Sequence, residues 1–354
     1  MDDRRREFLD ELLTTPTPSG YEVEGQRRWI EYVEPHADDI RTDDYGNAIA
    51  VLEGEPDAPS VAVAGHGDEI GYIVRTIDDE GFVHLGRIGG SDRTVSKGQH
   101  VEIHGADGPV NGVVGQNAIH LRDAGDETYD DIDEQRVDIG AADGDAAREL
   151  IEVGDPITIA STVRDLQGSR IAGRGLDNRV GTWVAAETLR RAADADVDAT
   201  LYAVSTVQEE IGLQGAKMIG DDLAPDAVVA VDVFHATDYP DVPGDETSEV
   251  ALGDGPVVGR GAANHPVLAD AVRAAGEDAD VDVQIAADGI RTGTDADAFF
   301  TQAGGTPSLN LGLPNRYMHT PVEVVDTDDL EAAADLLVAA AERAPDSAPF
   351  SVDL

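Results

Sequence analysis

The sequence predicts an α/β protein: a sheet covered by helices on both faces and interrupted by a small all-β unit. Three observations carry this. From residue 171 onward, apolar strand-like runs alternate with helical ones. Between about 72 and 160 the pattern changes to short alternating strands separated by turn signals such as DDEG and GADG. The chain has 354 residues, 41% of them hydrophobic, enough for a large core with an inserted domain.

Taken in order, residues 2–14 read as a helix with Phe8, Leu9, Leu12 and Leu13 on one face. PTPSGYE ends it, and a second helix is expected over 22–34. The turn DDYGN (43–47) leads into the strand AIAVLEG. SVAVAGHGDEIG (60–71) is a buried strand that ends in polar residues. YIVRTI, FVHLGRI, QHVEIHG, VNGVVGQ and DPITIA are the strands of the insertion, with one helical stretch at DGDAARELIE (143–152). LDNRVGTWVAAETLRRAAD then reads as a helix with a polar start, TLYAVSTV as a strand, QGAKMIGDDL as a helix and DAVVAVDVF as a strand. NHPVLADAVRAAGEDA (helix), VDVQIAA (strand), TDADAFFTQAG (short helix), TPSLNLGLP (strand) and TDDLEAAADLLVAAAERA (helix) complete the alternation.

There is no cysteine, which excludes disulfides, zinc–thiolate sites and thiol nucleophiles. Any metal must be held by histidine and carboxylate. Lys plus Arg number 25 against 72 Asp plus Glu, a net charge of −47, and only Lys97 and Lys217 are lysine. Such a field opposes nucleic acid and anionic membrane surfaces. It also destabilises a compact state by self-repulsion unless salt screens it, the Debye length being about 3 Å at 1 M. The acids are dispersed, and they read as the solvated surface of a halophile's protein, with a field that attracts cationic substrates as the rival and compatible reading. No run of about eighteen apolar residues is present, so no membrane-spanning helix is expected. The N-terminal MDDRRREFLDELL is charged and lacks the apolar centre of a signal peptide, so a cytoplasmic location is expected.

Open α/β sheets build their sites at the carboxyl ends of the strands. His66 and Asp68 follow SVAVAG, and Glu209 and Glu210 follow TLYAVSTV. Asp232 follows DAVVAV, His319 lies in RYMHTP after TPSLNLGLP, and Asp177 opens the helix after IAGRG. Singly, each has an ordinary reading. His66 is a turn histidine, Asp177 a helix N-cap, Asp232 half of a structural ion pair, His319 a surface-loop residue, and the adjacent glutamates a solvated pair. Together, two histidines and several carboxylates without a thiol suit zinc, cobalt or manganese. Two such ions need one bridging carboxylate and can hold a water between them. The HGD spacing puts Asp68 on the same side as His66, where it can orient the imidazole. Neighbouring side chains of a strand point apart, so Glu209 and Glu210 can share one small volume only if the chain bends there. One could then bind an ion while the other takes the water's proton. His36, His84, His100, His104, His120, His235 and His265 are read as structural, with His104 and His120 helping to pack the insertion. No GxSxG nucleophile motif is present.

The stretches AGHGDEIG, EVGDPI, GRGLDNRVG, VQEEIGLQGA, VDV, GTDADA and RYMHTPVEVVD, in this order, resemble those of M42-family metalloaminopeptidases, the group that includes the archaeal tetrahedral TET aminopeptidases. The resemblance spans nearly the whole chain. It implies a zinc-peptidase-type mixed sheet flanked by helices, discontinuous over 1–68 and 161–354, with an inserted PDZ-like dimerisation domain over 69–160. It implies two divalent ions per subunit, zinc or cobalt, with manganese a further candidate. His66 and Asp232 would hold one ion, Glu210 and His319 the other, and Asp177 would bridge them. Glu209 would be the general base, and Asp68 would orient His66. The implied substrates are peptides with a free N-terminus, and the implied assembly is a dodecamer built from dimers. Gly175, where relatives often have alanine, is expected to make the loop before Asp177 more permissive. RTGTDAD (291–297) is a candidate substrate-side loop. Two other readings stay open: a related dinuclear amidase or N-acyl deacylase, and a non-catalytic peptide-binding scaffold with the β insertion as its binding module.

Overall fold

The structure is a computed structural model that describes residues 1–122, 129–195, 197–240, 242 and 249–354. Its larger part is built on an eight-stranded mixed sheet. Across the sheet the strands are Asp39–Thr42, Ala48–Leu52, Thr200–Thr206, Ser60–His66, Ala227–His235, Ser308–Asn315, Val257–Arg260 and Gln284–Ala287. The four from Thr200–Thr206 to Ser308–Asn315 are parallel. Ala48–Leu52 and Val257–Arg260 run antiparallel to their inner neighbours. Central strands covered on both faces are apolar on both. On Ser60–His66, Val61 and Val63 join the main core with Trp29, Trp183, Leu189 and Leu330. Ala62 and Ala64 face the other way, into a smaller cluster with Ala216, Ile219 and Phe299. Because the central strands are parallel, their carboxyl ends share one edge, with His66 in register with Thr206 and Asp232 with Gly312.

The helices follow their sequence signals. Asp2 caps Asp3–Thr14 by accepting from the Arg5 N–H at 3.0 Å, and the helix buries Phe8, Leu9, Leu12 and Leu13. Asp326 caps Thr327–Ser347 by accepting from the Asp328 N–H at 3.1 Å. The stretch over 143–152 yields only Gly144–Arg148, and TDADAFFTQAG only Ala296–Phe299.

The insertion closes on itself as a six-stranded barrel, in the order Gly71–Ile77, Val83–Ile88, Arg136–Asp138, Gly108–Val114, His100–Gly105 and Pro156–Ile159. Val74, Val83, Leu85, Val101, Ile103 and Ile157 fill it. His104 Nε2 lies 2.9 Å from Thr158 Oγ1, whereas His120 is exposed. A third sheet joins Arg164–Asp165, Arg170–Gly173 and Glu323–Asp326, with Gly173 in register with Glu323. It brings the segment entering Asp177 beside the segment leaving His319. The alternation pattern does not foreshadow this sheet, nor Asp39–Thr42 and Val257–Arg260. These strands are at most four residues long, too short to show a period. Among the described residues no helix is long and apolar enough to cross a membrane.

Candidate metal centre

The bend required at the two glutamates is present. The strand Thr200–Thr206 ends, and Gln208 takes a left-handed conformation with φ 57°. Beneath the bend lies Asp68, fully buried. One of its oxygens accepts from the Glu209 N–H at 3.0 Å. The other accepts from the Glu210 N–H at 3.2 Å and the Ser19 hydroxyl at 2.6 Å. Glu22, also buried, accepts from the Gln208 N–H at 3.1 Å. Adjacent carboxylates are thus turned toward one volume by buried acids that grip the backbone.

Asp177 is the centre of the arrangement. Its Oδ1 lies 3.3 Å from His66 Nε2 and its Oδ2 lies 3.2 Å from His319 Nε2. On the first side, His66 Nε2 is 3.7 Å from Asp232 and 3.8 Å from Glu209. On the second, His319 Nε2 is 3.7 Å from Glu210. His66 Nδ1 turns the other way, 3.2 Å from the Asp68 carbonyl and 3.3 Å from its carboxylate. Atoms about 2.1 Å from one tetrahedral ion stand roughly 3.4 Å apart. Separations of this size suit atoms that could share a cation, and they fall in two groups: His66, Glu209 and Asp232, and Asp177, Glu210 and His319. Asp177 stands nearer to His66 than Glu209 does, so it fits the first group as well.

The electrostatics agree with a cation site. Burial pushes Glu209 up to about 9, helped by Asp232, Asp295 and Asp177. Burial likewise raises Glu210, with Asp177 adding to it, and Asp232. Burial opposes the charged form of His66, yet Asp232 and Glu209 hold it well above the ordinary histidine range. Burial opposes ionisation of Asp177 too, and bonds from His319 and His66 override it. Glu210 Oε1 is buried with no hydrogen-bond partner among the described residues. Such an atom is costly unless a cation or donor meets it. Oxygen and imidazole donors with an orphaned carboxylate oxygen fit divalent ions of the zinc or cobalt kind.

Four further residues bear on the site. Glu323 is 1% exposed, and burial and Asp177 push it up to about 8. Its two oxygens accept from the Asp177 N–H and the His319 N–H, each at 2.9 Å. Asp295 lies within the loop 291–297 but is buried, accepting from the Thr206 hydroxyl at 2.5 Å. Gly89 and Gly90 come from the barrel. A Cβ on Gly89 would lie 3.2 Å from Glu210, and one on Gly90 would lie 2.6 Å from His319 Nδ1. Gly90→Ala should therefore push the imidazole off Asp177 and cost at least tenfold in metal affinity, a loss that metal titration against a chelator would measure. In sequence, Glu323 offers only the faint signal of one acid in an apolar run, and nothing marks the two glycines as neighbours of the site. Gly175 is not merely permissive. It has φ 57°, and a Cβ there would collide with the Arg179 guanidinium, which pairs with Glu69 at 3.1 Å.

The histidines and carboxylates gather at the carboxyl edge of the parallel strands, where open α/β sheets build their sites. The chain matches the model of the family described as M42 glutamyl aminopeptidase over residues 46–336, and it belongs to that family. It is 32% identical to the lysyl aminopeptidase of Pyrococcus furiosus, covering 95% of this chain and 96% of the relative. The TET aminopeptidase of a marine sediment thaumarchaeon superposes with a TM-score of 0.90 at 30% identity, over 97% of each chain. The TET1 peptidase of Pyrococcus horikoshii, which can assemble into a tetrahedron or a large octahedral shell, superposes with a TM-score of 0.84 at 31% identity, over 95% of this chain and 98% of that one.

Proposed function

We propose that the protein is an aminopeptidase that removes N-terminal residues from peptides at a pair of divalent ions. The observation that carries this is the Asp177 carboxylate, with one oxygen toward His66 and the other toward His319, at 3.3 and 3.2 Å. His66 and Asp232 would hold one ion, Glu210 and His319 the other, and Asp177 would bridge them. When bound, zinc or cobalt would supply Lewis acidity and make a nearby water easier to deprotonate. Glu209 takes the proton from that water and delivers it to the leaving amine. Asp68 holds His66 in one orientation and keeps both glutamates at the bend. The assembly we propose is a dodecamer built from dimers that join through the barrel, in a cytoplasm rich in salt; the assembling TET1 relative and the charge of −47 support it.

The test is hydrolysis of aminoacyl-p-nitroanilides and short peptides at high salt, after chelation and with zinc, cobalt or manganese added back. Activity should return with metal and only on free amines. Activity confined to N-acylated substrates would make the protein a deacylase. Metal binding without hydrolysis of any peptide would make it a scaffold.

A pH effect follows from the raised acids. Glu209, Glu210, Asp232 and Glu323 have folded-state values above their ordinary ones. The stability they contribute to the metal-free protein is full below about pH 4, the ordinary carboxylate range. It is lost as pH rises through the folded-state values, up to the value of about 9 for Glu209. Bound cations remove that penalty. The melting temperature of the chelated protein should fall between pH 5 and 9, and the increment produced by metal should grow over the same range. A metal increment independent of pH would contradict this.

A further inference from the structure

Asp68 grips the N–H groups of two site residues, Glu209 and Glu210. Glu323 does the same on the other side of the centre, and no role in the reaction proposed above uses it. Its side chain is buried, and its two oxygens are divided between two donors, the Asp177 N–H and the His319 N–H. Those donors belong to segments far apart in the chain. Glu323 itself sits on a strand paired with Arg170–Gly173, the strand that leads to Asp177.

His319 needs such a hold. Its φ is 61°, a left-handed conformation that a residue with a Cβ adopts only when its surroundings enforce it. Tyr317, two residues earlier, has φ 63°. The His319 side chain is 36% exposed, so packing alone does not fix it. The contacts that do are Gly90 from the barrel and the Glu323 carboxylate at its backbone.

We infer that Glu323 is a positioning residue: one carboxylate that spans the backbones of Asp177 and His319 and so sets the distance between two ligands of the second ion. The inference rests on the two-ion reading. The geometry requires two acceptor oxygens on one side chain. Glutamine offers one oxygen and turns an NH2 donor against the second N–H. Aspartate keeps both oxygens but is a methylene too short to reach both donors.

The test compares E323Q and E323D with the parent and with D329N. Asp329 is a matched control: buried, and accepting from the Gly253 and Gly255 N–H groups at 2.8 Å each, neither of which carries a site side chain. Each metal-free protein is melted at one fixed high salt concentration. Each is then titrated with cobalt against a competing chelator, reading the ions bound per subunit, the affinity of each and the cobalt absorption spectrum. The parent and D329N should bind two ions alike. E323Q and E323D should bind the second ion about 10–100-fold more weakly, the range expected when a ligand's support is lost, and weaken the first by less, since of its proposed ligands only Asp177 is held by Glu323. The spectrum of the second cobalt should change as well. If E323Q does not fold, E323D carries the same test.

Parental affinity for both ions in a Glu323 variant overturns the inference. So does an equal loss in D329N, or a loss of both ions in step with the melting temperature, since either would make Glu323 a general support of the fold. A parent that binds fewer than two ions sinks the two-ion reading itself.

Discussion

Glu209→Gln should leave both ions bound and lower kcat by roughly 10²–10⁴-fold, the span typical of a lost general base. The carboxylate lies 3.8 Å from His66 Nε2 and is 9% exposed, so it sits inside the centre without being its nearest ligand. Burial and the acids around it give it a high proton affinity, with a value of about 9. Cations bound beside it would lower that value and keep the carboxylate ionised, as a group that accepts a proton from water must be. Glutamine has the same shape, and the Asp68 bond to the residue-209 N–H survives the change. The geometry of the bend should therefore persist while the basic oxygen is gone. KM should move little. Elemental analysis alongside steady-state kinetics reads both outcomes. Parental kcat would remove Glu209 as the base. Loss of metal would make it a ligand, as its grouping with His66 and Asp232 also permits.

Asp177→Ala should have the larger effect on metal. Losing an outer partner of a ligand costs about 10–100-fold in affinity, so losing the ligand proposed to bridge the ions should cost more than about 100-fold at both sites. The two histidines face this one carboxylate from opposite sides, at 3.3 and 3.2 Å. Without it, neither half of the centre is complete. The melting temperature of the variant should stop responding to added zinc or cobalt, and hydrolysis should fall to background. A variant that still took up two ions would show that the halves are independent and that Asp177 does not join them.

Much of the fold was legible because long apolar or periodic segments leave few choices. Asp3–Thr14 and Gln214–Leu223 carry helical spacing, and the strands Ser60–His66 and Ala227–His235 are apolar runs too short to be helices. The bend at Glu209 could be inferred from the period of a strand, and Gln208 supplies it. What the sequence hid is what backbone groups do. Glu323 and Asp68 act by accepting from N–H groups, which nearly every residue carries, so no spacing marks their partners. The closeness of Gly90 to His319 brings the barrel against the main sheet's side of the site, and nothing local in RIGGSD points to it. Short strands such as Glu323–Asp326 are fixed by tertiary pairing rather than by their own preference.

The chain departs from the sheet at His66, builds the barrel, and comes back to supply Asp177 and at last His319. The barrel corner at Gly89 and Gly90 then closes on the final histidine. The seat proposed for the second cation is therefore assembled from both parts of the fold, and it is complete only once the barrel corner and the returning chain have met.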